Sequence, residues 1–340
     1  MYEYLPYLIS YYDGTKAYSF YLSDYKTPQD MIIACFKSIV IRKYKGYTIY
    51  VHNLANFDGI FLTEALVNHY NIKPIINNGR LISLTISSDK YSLKIYDSYQ
   101  LLLSPLRKLA ISFNCSTLKG VFPFAFVNLI NINLDYNGLV PSHEYYDNFT
   151  IEEYNNYTLD YNNKTWNLKR EAIYYCELDC ISLYQVIEKF NFMIYKQFRL
   201  NITKYPTITS LTFAIFRSGY LKEDQIPMLS GQIFNDISVS YTGGSTDMYI
   251  PSNVQVDNNS LLPLSNGEPL YCYDVNSLYP SVMLNSSLPC GQINYFEGDI
   301  LKYKPDACGF FYCKVTSPEF LEHPILQLHH KKSTMSPLGS

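Results

Sequence analysis

Three carboxylates stand at places suited to metal-assisted phosphate chemistry. Asp58 closes the run His52-Asn53-Leu54-Ala55-Asn56-Phe57-Asp58-Gly59, after a strand-like stretch and before a helical one. An aspartate there can ligate a divalent ion, while Asn53 and Phe57 offer an amide and a ring to an unpaired nucleotide. It can equally do no more than cap the following helix. Tyr175 and Asp179 lie four residues apart in a helical pattern and so share one face, which an ordinary helix surface also explains. Asp274 follows the strand-like Leu270–Tyr273 and precedes the turn-forming Ser277-Leu278-Tyr279-Pro280. Such a carboxylate can hold a metal, with backbone amides nearby for phosphate oxygens. The plainer alternatives are a cap for Asp274 and core packing for Tyr279.

The elements that must position these groups follow from pattern and punctuation. Pro6–Asp13 and Tyr18–Ser23 read as a strand pair joined at Asp13-Gly14. Thr27 caps a helix with Pro28 in its first turn, running through Met31–Lys43. Gly46–Val51 alternates like a strand, and Ile60–His69 is helical. Leu81–Ile86 and Tyr91–Tyr96 form a hairpin around Ser88-Asp89, and Pro105–Ser112 is a short basic helix. Residues 131–165 are rich in Asn, Tyr and Asp and read as loop; Trp166–Phe198 is a long helix. This mixed order predicts an α/β domain over residues 1–197, then a second domain over 198–340.

Several strings stand in an order that resembles one family. Tyr271 to Met283, YCYDVNSLYPSVM, resembles motif A (DxxSLYP) of family B DNA polymerases in their protein-primed branch, as carried by mitochondrial linear plasmids. The Asn53–Asp58 string resembles the second exonuclease motif of proofreading polymerases, and Tyr175-xxx-Asp179 the third. Between them, Asp97-Ser98, with Tyr99 where the motif has Leu, resembles the single-stranded-DNA motif. Leu118-Lys119-Gly120-Val121-Phe122 resembles the Kx2h motif. Tyr241-Thr242-Gly243-Gly244 resembles YxGG, although paired glycines by themselves mostly mark a turn.

The resemblance implies an RNase-H-like 3′–5′ exonuclease fold followed by the beginning of a polymerase palm. It implies metal ligation by Asp58, Asp179 and Asp274, with Mg2+ or Mn2+ in two-metal sites. Tyr175 would orient the attacking water, and Lys119 would stabilise charge on the scissile phosphate. Asn53, Phe57, Ser98, Tyr241, Gly243 and Gly244 would contact DNA; Ser277, Leu278 and Tyr279 would contact the incoming nucleotide, Tyr279 excluding a ribose hydroxyl. Implied partners are primer-template and single-stranded DNA, dNTPs and a terminal protein primer, in a mitochondrion. The family's Asp-x-Glu, DTD and motif B do not occur here. The chain is therefore expected to be a fragment inactive alone, its first motif lying upstream of Met1. The alternative is a non-catalytic remnant that at most binds single-stranded DNA.

Composition bounds the rest. A net charge of -3 and a pI near 6.1 supply no bulk basic field for nucleic acid, so contacts must come from local groups. The 35 Tyr against one Trp, with abundant Asn, Ile and Lys, fit an AT-rich coding sequence and hence the mitochondrial expectation. The eight cysteines form no CxxC pair and read as reduced thiols, Cys308 and Cys313 flanking an aromatic strand. No apolar run approaches the roughly 18 residues of a membrane span, so no membrane partner is expected.

Overall fold

The computed structural model of the protein describes residues 5–117, 120–128, 133–147, 149–162, 164–223, 226–241, 273–321, 326–330 and 333–335. The chain divides into two compact units, Met1–Leu221 and Lys222–Ser340.

The first unit opens with strands β1 (Leu8–Tyr12) and β2 (Ala17–Tyr21), an antiparallel pair. Asp13 closes their turn by accepting from Thr15 N, Thr15 Oγ1 and Lys16 N, and it also takes Lys43 Nζ at 2.6 Å and the Tyr44 hydroxyl at 2.8 Å. These bonds, Lys43 first, hold the Asp13 carboxyl well below the usual carboxylate range. A depressed carboxyl pKa adds stability above the unfolded-state value and loses it as pH falls. Asp13→Ala is therefore expected to lower the melting temperature by roughly 5 °C at pH 7. The deficit should shrink at about pH 3, where the unfolded carboxyl is mostly protonated. Melts of both proteins at the two pH values check this; an equal deficit at both would contradict it.

Helix α1 (Pro28–Ile39) starts as expected: Thr27 Oγ1 accepts from Asp30 N, with Pro28 in the first turn. It stops four residues short of the expected Lys43. Residues 42–44 instead make a separate tight turn that brings Lys43 and Tyr44 to Asp13. Next come β3 (Thr48–Val51), α2 (Asp58–Leu66), β4 (Asn71–Asn77), β5 (Arg80–Ser87) and β6 (Ser92–Asp97). The sheet order is β3-β6-β5-β4, with β3 and β6 parallel and the other neighbours antiparallel. Met31, Ile32, Cys35 and Phe36 of α1 and Leu62, Ala65 and Leu66 of α2 pack over Leu84, Ile86, Leu93 and Ile95 of the sheet.

Helix α3 (Leu106–Ser112) and the short α4 (Phe124–Val127) follow. The expected loop over 131–165 contains a helix, α5 (Ile151–Leu159), set by a capping box between Thr150 and Glu153. The polar composition hid it, because none of its residues is fully buried. Helix α6 (Leu168–Phe198) is capped by Asn167, whose side chain accepts from Arg170 N, and it ends at Arg199 in the left-handed region, φ 59°. It packs on β1, β2 and α3.

The division into compact units falls later than the expected 197. Ile194 of α6, Ile202 and Leu211 of α7 (Ile208–Gly219) share one buried cluster with Leu101, so the first unit runs on to Leu221. In the second unit the described helices are α8 (Gly231–Val239) and α9 (Leu278–Asn285). None of its described residues is buried. The expected strand between Cys308 and Cys313 is not formed. The described cysteines are free thiols, Cys35 and Cys115 buried and Cys290, Cys308 and Cys313 exposed. No helix among the described residues is long and apolar enough to cross a membrane.

Candidate active site

The carboxyl ends of the parallel neighbours β3 and β6 lie side by side, Val51 opposite Asp97. Loops leaving such adjacent ends form the natural ligand crevice of an α/β sheet. The loop after β3 carries Asn53 and delivers Asp58 as the first residue of α2. Phe57, not Asp58, occupies the cap position, and it makes no side-chain cap bond. The helix-cap explanation of Asp58 therefore falls away. Gly59 follows because a Cβ there would come within 2.9 Å of the Leu54 carbonyl oxygen and the Leu81 side chain.

The Asp58 residue opens to solvent, yet its carboxyl pKa is raised, first by desolvation among its neighbours and then by the charge of Asp97. A hydrogen bond from its own backbone N–H opposes the rise in part. Phe57 is exposed beside it, as a stacking ring needs to be. Asn53 adopts φ 68° and its side-chain oxygen accepts from Asn56 Nδ2 at 2.7 Å.

Helix α6 carries Tyr175 and Asp179. Tyr175 is buried one turn from Asp179 on α6; burial first and the Asp179 charge second push its pKa well up. Its ring packs against Phe122 and Phe124, each 5.4 Å away between centroids. A Cβ on Gly120 would lie 3.3 Å from both Tyr175 Cδ2 and Leu178 Cδ1, so the segment after Lys119 runs closely over this face. The negative charges of Asp179 and Asp58 both act on the Cys176 thiol of α6. Tyr175-xxx-Asp179 is thus more than an exposed helix-face pair.

Ser98 is placed differently from the sequence expectation. It is 1% exposed; its hydroxyl donates to the Val51 carbonyl at 3.2 Å and lies 3.0 Å from His52 Nδ1. Direct contact with a DNA strand would require these bonds to open, so in this arrangement Ser98 ties β6 to the end of β3. The residue that sequence reasoning passed over is its neighbour Asp97, wholly buried and bonded to three backbone amides. Its signal was an aspartate ending the strand parallel to the one that leads to Asp58.

In the second unit, Asp274 lies three residues before Ser277, which takes the left-handed φ of 54° and precedes α9. The expected turn Ser277–Pro280 is the start of that helix, closed by Ser281 N donating to Ser277 O at 2.9 Å. Ser277, not Asp274, holds the cap position, and Tyr279 is 76% exposed, so the capping and core-packing alternatives both lose their footing. Tyr241 is exposed at the end of α8. Lys119, Gly243, Gly244 and the Leu270–Cys272 part of the expected strand lie outside the described residues.

The donor set fits a hard dication: Asp58 and Asp179 supply carboxylate oxygens, and cationic charge would relieve the unfavourable ionisation of Asp58. Among the described residues no three His, Cys, Asp or Glu side chains come together as a complete metal site.

Comparison with known proteins completes the picture. The sequence profile of DNA polymerase type B, organellar and viral, matches residues 38–340. A probable DNA polymerase of Neurospora intermedia is 39% identical over 339 residues, covering 94% of this chain and 33% of its own length. One from Ascobolus immersus is 33% identical over 352 residues, covering 99% of this chain and 28% of its own. The chain thus spans about a third of the length of the curated relatives it matches. Among solved structures, a phi29 DNA polymerase complexed with primer-template DNA and incoming nucleotides aligns at TM-score 0.39 and 20% identity, covering 63% of this chain and 33% of that one.

Proposed function

The chain belongs to the organellar and viral family of type B DNA polymerases, and from that premise we propose that it carries part of two active sites of a protein-primed replicative enzyme. The first unit is the 3′–5′ proofreading part, of RNase-H-like type. The second begins the polymerase palm. The reading rests on family membership, on Asp58 opening α2 in the loop that leaves the edge strand β3, and on Tyr175 and Asp179 standing one turn apart on α6.

A single-stranded 3′ end would enter beside β3 and β6, its terminal base against Phe57 and a polar edge on Asn53. Asp58 and Asp179 would hold Mg2+ or Mn2+, which when bound supplies an activated water and neutralises charge on the phosphate. Tyr175, packed against Phe122 and Phe124, would orient that water. Lys119 would face the scissile phosphate. A two-ion site takes more carboxylates than these two. In the second unit Asp274 would be the first polymerising carboxylate and Tyr279 the platform under the incoming sugar. Tyr241, Gly243 and Gly244 would guide the primer terminus. DNA, dNTPs and a terminal protein are the proposed partners, and a mitochondrial linear plasmid the proposed replicon.

The test is Mg2+-dependent shortening of a 5′-labelled single-stranded oligonucleotide by the chain and by its Asp58→Ala, Asp179→Ala double variant. Shortening that drops at least roughly 100-fold in the variant supports the reading. Equal shortening by both would assign the activity elsewhere. A second reading is favoured by the incomplete ligand set among the described residues: a single-strand binder without hydrolysis. Retained binding with no shortening by either protein would support it.

A further inference from the structure

We propose that Asp97 is a positioning residue: its buried carboxylate fixes the loop of residues 53–56 and thereby sets Asn53 and the start of the helix that bears Asp58. Oδ1 accepts from Asn53 N at 2.8 Å and Tyr99 N at 3.0 Å, and Oδ2 accepts from Ala55 N at 3.2 Å. Asp97 has no exposed surface. A carboxylate is buried at heavy cost unless hydrogen bonds meet its charge, and three backbone amides do so here. With those bonds made and no exposed surface, Asp97 acts through the loop and not on a substrate.

The loop needs such a brace. Asn53 sits at φ 68°, a region less favourable than the ordinary ones for a residue with a Cβ, though asparagine tolerates it better than most. A residue held there persists only when its surroundings over-determine it. Asp97 grips the amides at Asn53 and Ala55, on both sides of Leu54, which is itself wholly buried. Leu54 in turn accepts Gly59 N at 2.9 Å on its carbonyl oxygen. The chain of bonds runs from Asp97 through the loop to the residue next to Asp58. Asparagine cannot replace this: its NH2 group would confront one of the three N–H donors. What the loop grips rests on the proofreading reading above; the bracing does not.

The experiment compares the full chain with Asp97→Asn and with Leu84→Ala, which weakens the same sheet at a fully buried position remote in sequence from the loop. Two readouts are taken: amide hydrogen exchange by peptide, and anisotropy of a fluorescein-labelled oligo-dT in EDTA. Asp97→Asn should speed exchange over residues 52–57 by about tenfold while α6 peptides stay unchanged. It should weaken oligonucleotide binding by about fivefold, and Leu84→Ala should not. Unchanged exchange over 52–57 would overturn the assignment. So would affinity lost equally in both variants, since that marks a stability effect alone. If Asp97→Asn does not fold, wild-type exchange decides: Asn53 and Ala55 amides as protected as those of β6 support the brace, and unprotected amides overturn it. A wild type that binds no oligonucleotide would sink the proofreading reading, while the exchange arm still decides the brace.

Discussion

Trp166→Ala is expected to destabilise the first unit by about 3–5 kcal/mol, near the top of the range for single core substitutions. The single tryptophan is fully buried at the start of α6. Its ring meets Phe126 edge-on at 6.1 Å and Tyr136 at 6.0 Å, and its indole N–H donates to the Tyr157 hydroxyl at 2.8 Å. Truncation removes that packing, leaves a cavity among the aromatic neighbours, and takes from the half-buried Tyr157 hydroxyl one of its hydrogen-bond partners. In a unit of this size the melting temperature should fall by roughly 10 °C. Trp166→Phe keeps most of the bulk and loses only the N–H bond, so it should fall between the two. Thermal melts followed by near-ultraviolet circular dichroism check this, and a drop under about 3 °C for Trp166→Ala would show that the site relaxes freely. The consequence for function is indirect. Trp166 anchors the helix that presents Tyr175 and Asp179, so their placement depends on it.

Much of the first unit was legible because local chemistry and tertiary packing agree there. Thr27-Pro28 starts α1, Asp13-Gly14 joins the first hairpin, and the apolar face of α6 is continuous over many turns. Strand β4 was missed because Asn71–Asn77 carries a Lys, a Pro and two Asn and is largely exposed; its pairing with β5, not its own pattern, makes it a strand. Helix α5 was missed for the reason that composition averages over a window, whereas its start is fixed by two residues, Thr150 and Glu153. At the candidate site, Asp58, Tyr175 and Asp179 stood out only as residue types in family order, and the spacing of the last two is weak evidence in so Tyr-rich a chain. The inward role of Ser98 was not, because a hydroxyl serves a strand contact or a buried carbonyl equally well. Asp97 escaped for a related reason: a carboxylate that spends its oxygens on backbone amides looks, in sequence, like any aspartate at a strand end.

The two units should differ sharply in protease resistance, and this is the other large effect expected. Cleavage requires a stretch of chain to fit a protease extended, so a site inside a packed element is cut only after local opening. The first unit also exposes some chymotrypsin residues, Phe57 and Phe192 among them, but its elements are tied by buried clusters that join α1, α2 and the sheet, and α6 to α3 and α7. The described part of the second unit has no buried residue to oppose opening. Tyr273 is 88% exposed, Leu284 85% and Phe320 84%. Limited chymotrypsin digestion should therefore cut within 273–321 at least about tenfold faster than anywhere in β3 to α6, leaving a resistant product that ends near Leu221. The position of that end carries information of its own. A product ending near residue 197 would mean that α7 detaches and that Leu211 does not hold to the core of α6. Equal cutting of both units, for instance at the exposed Phe57 as fast as at Tyr273, would remove the distinction between a first unit held by buried clusters and a second unit whose described apolar side chains are not buried.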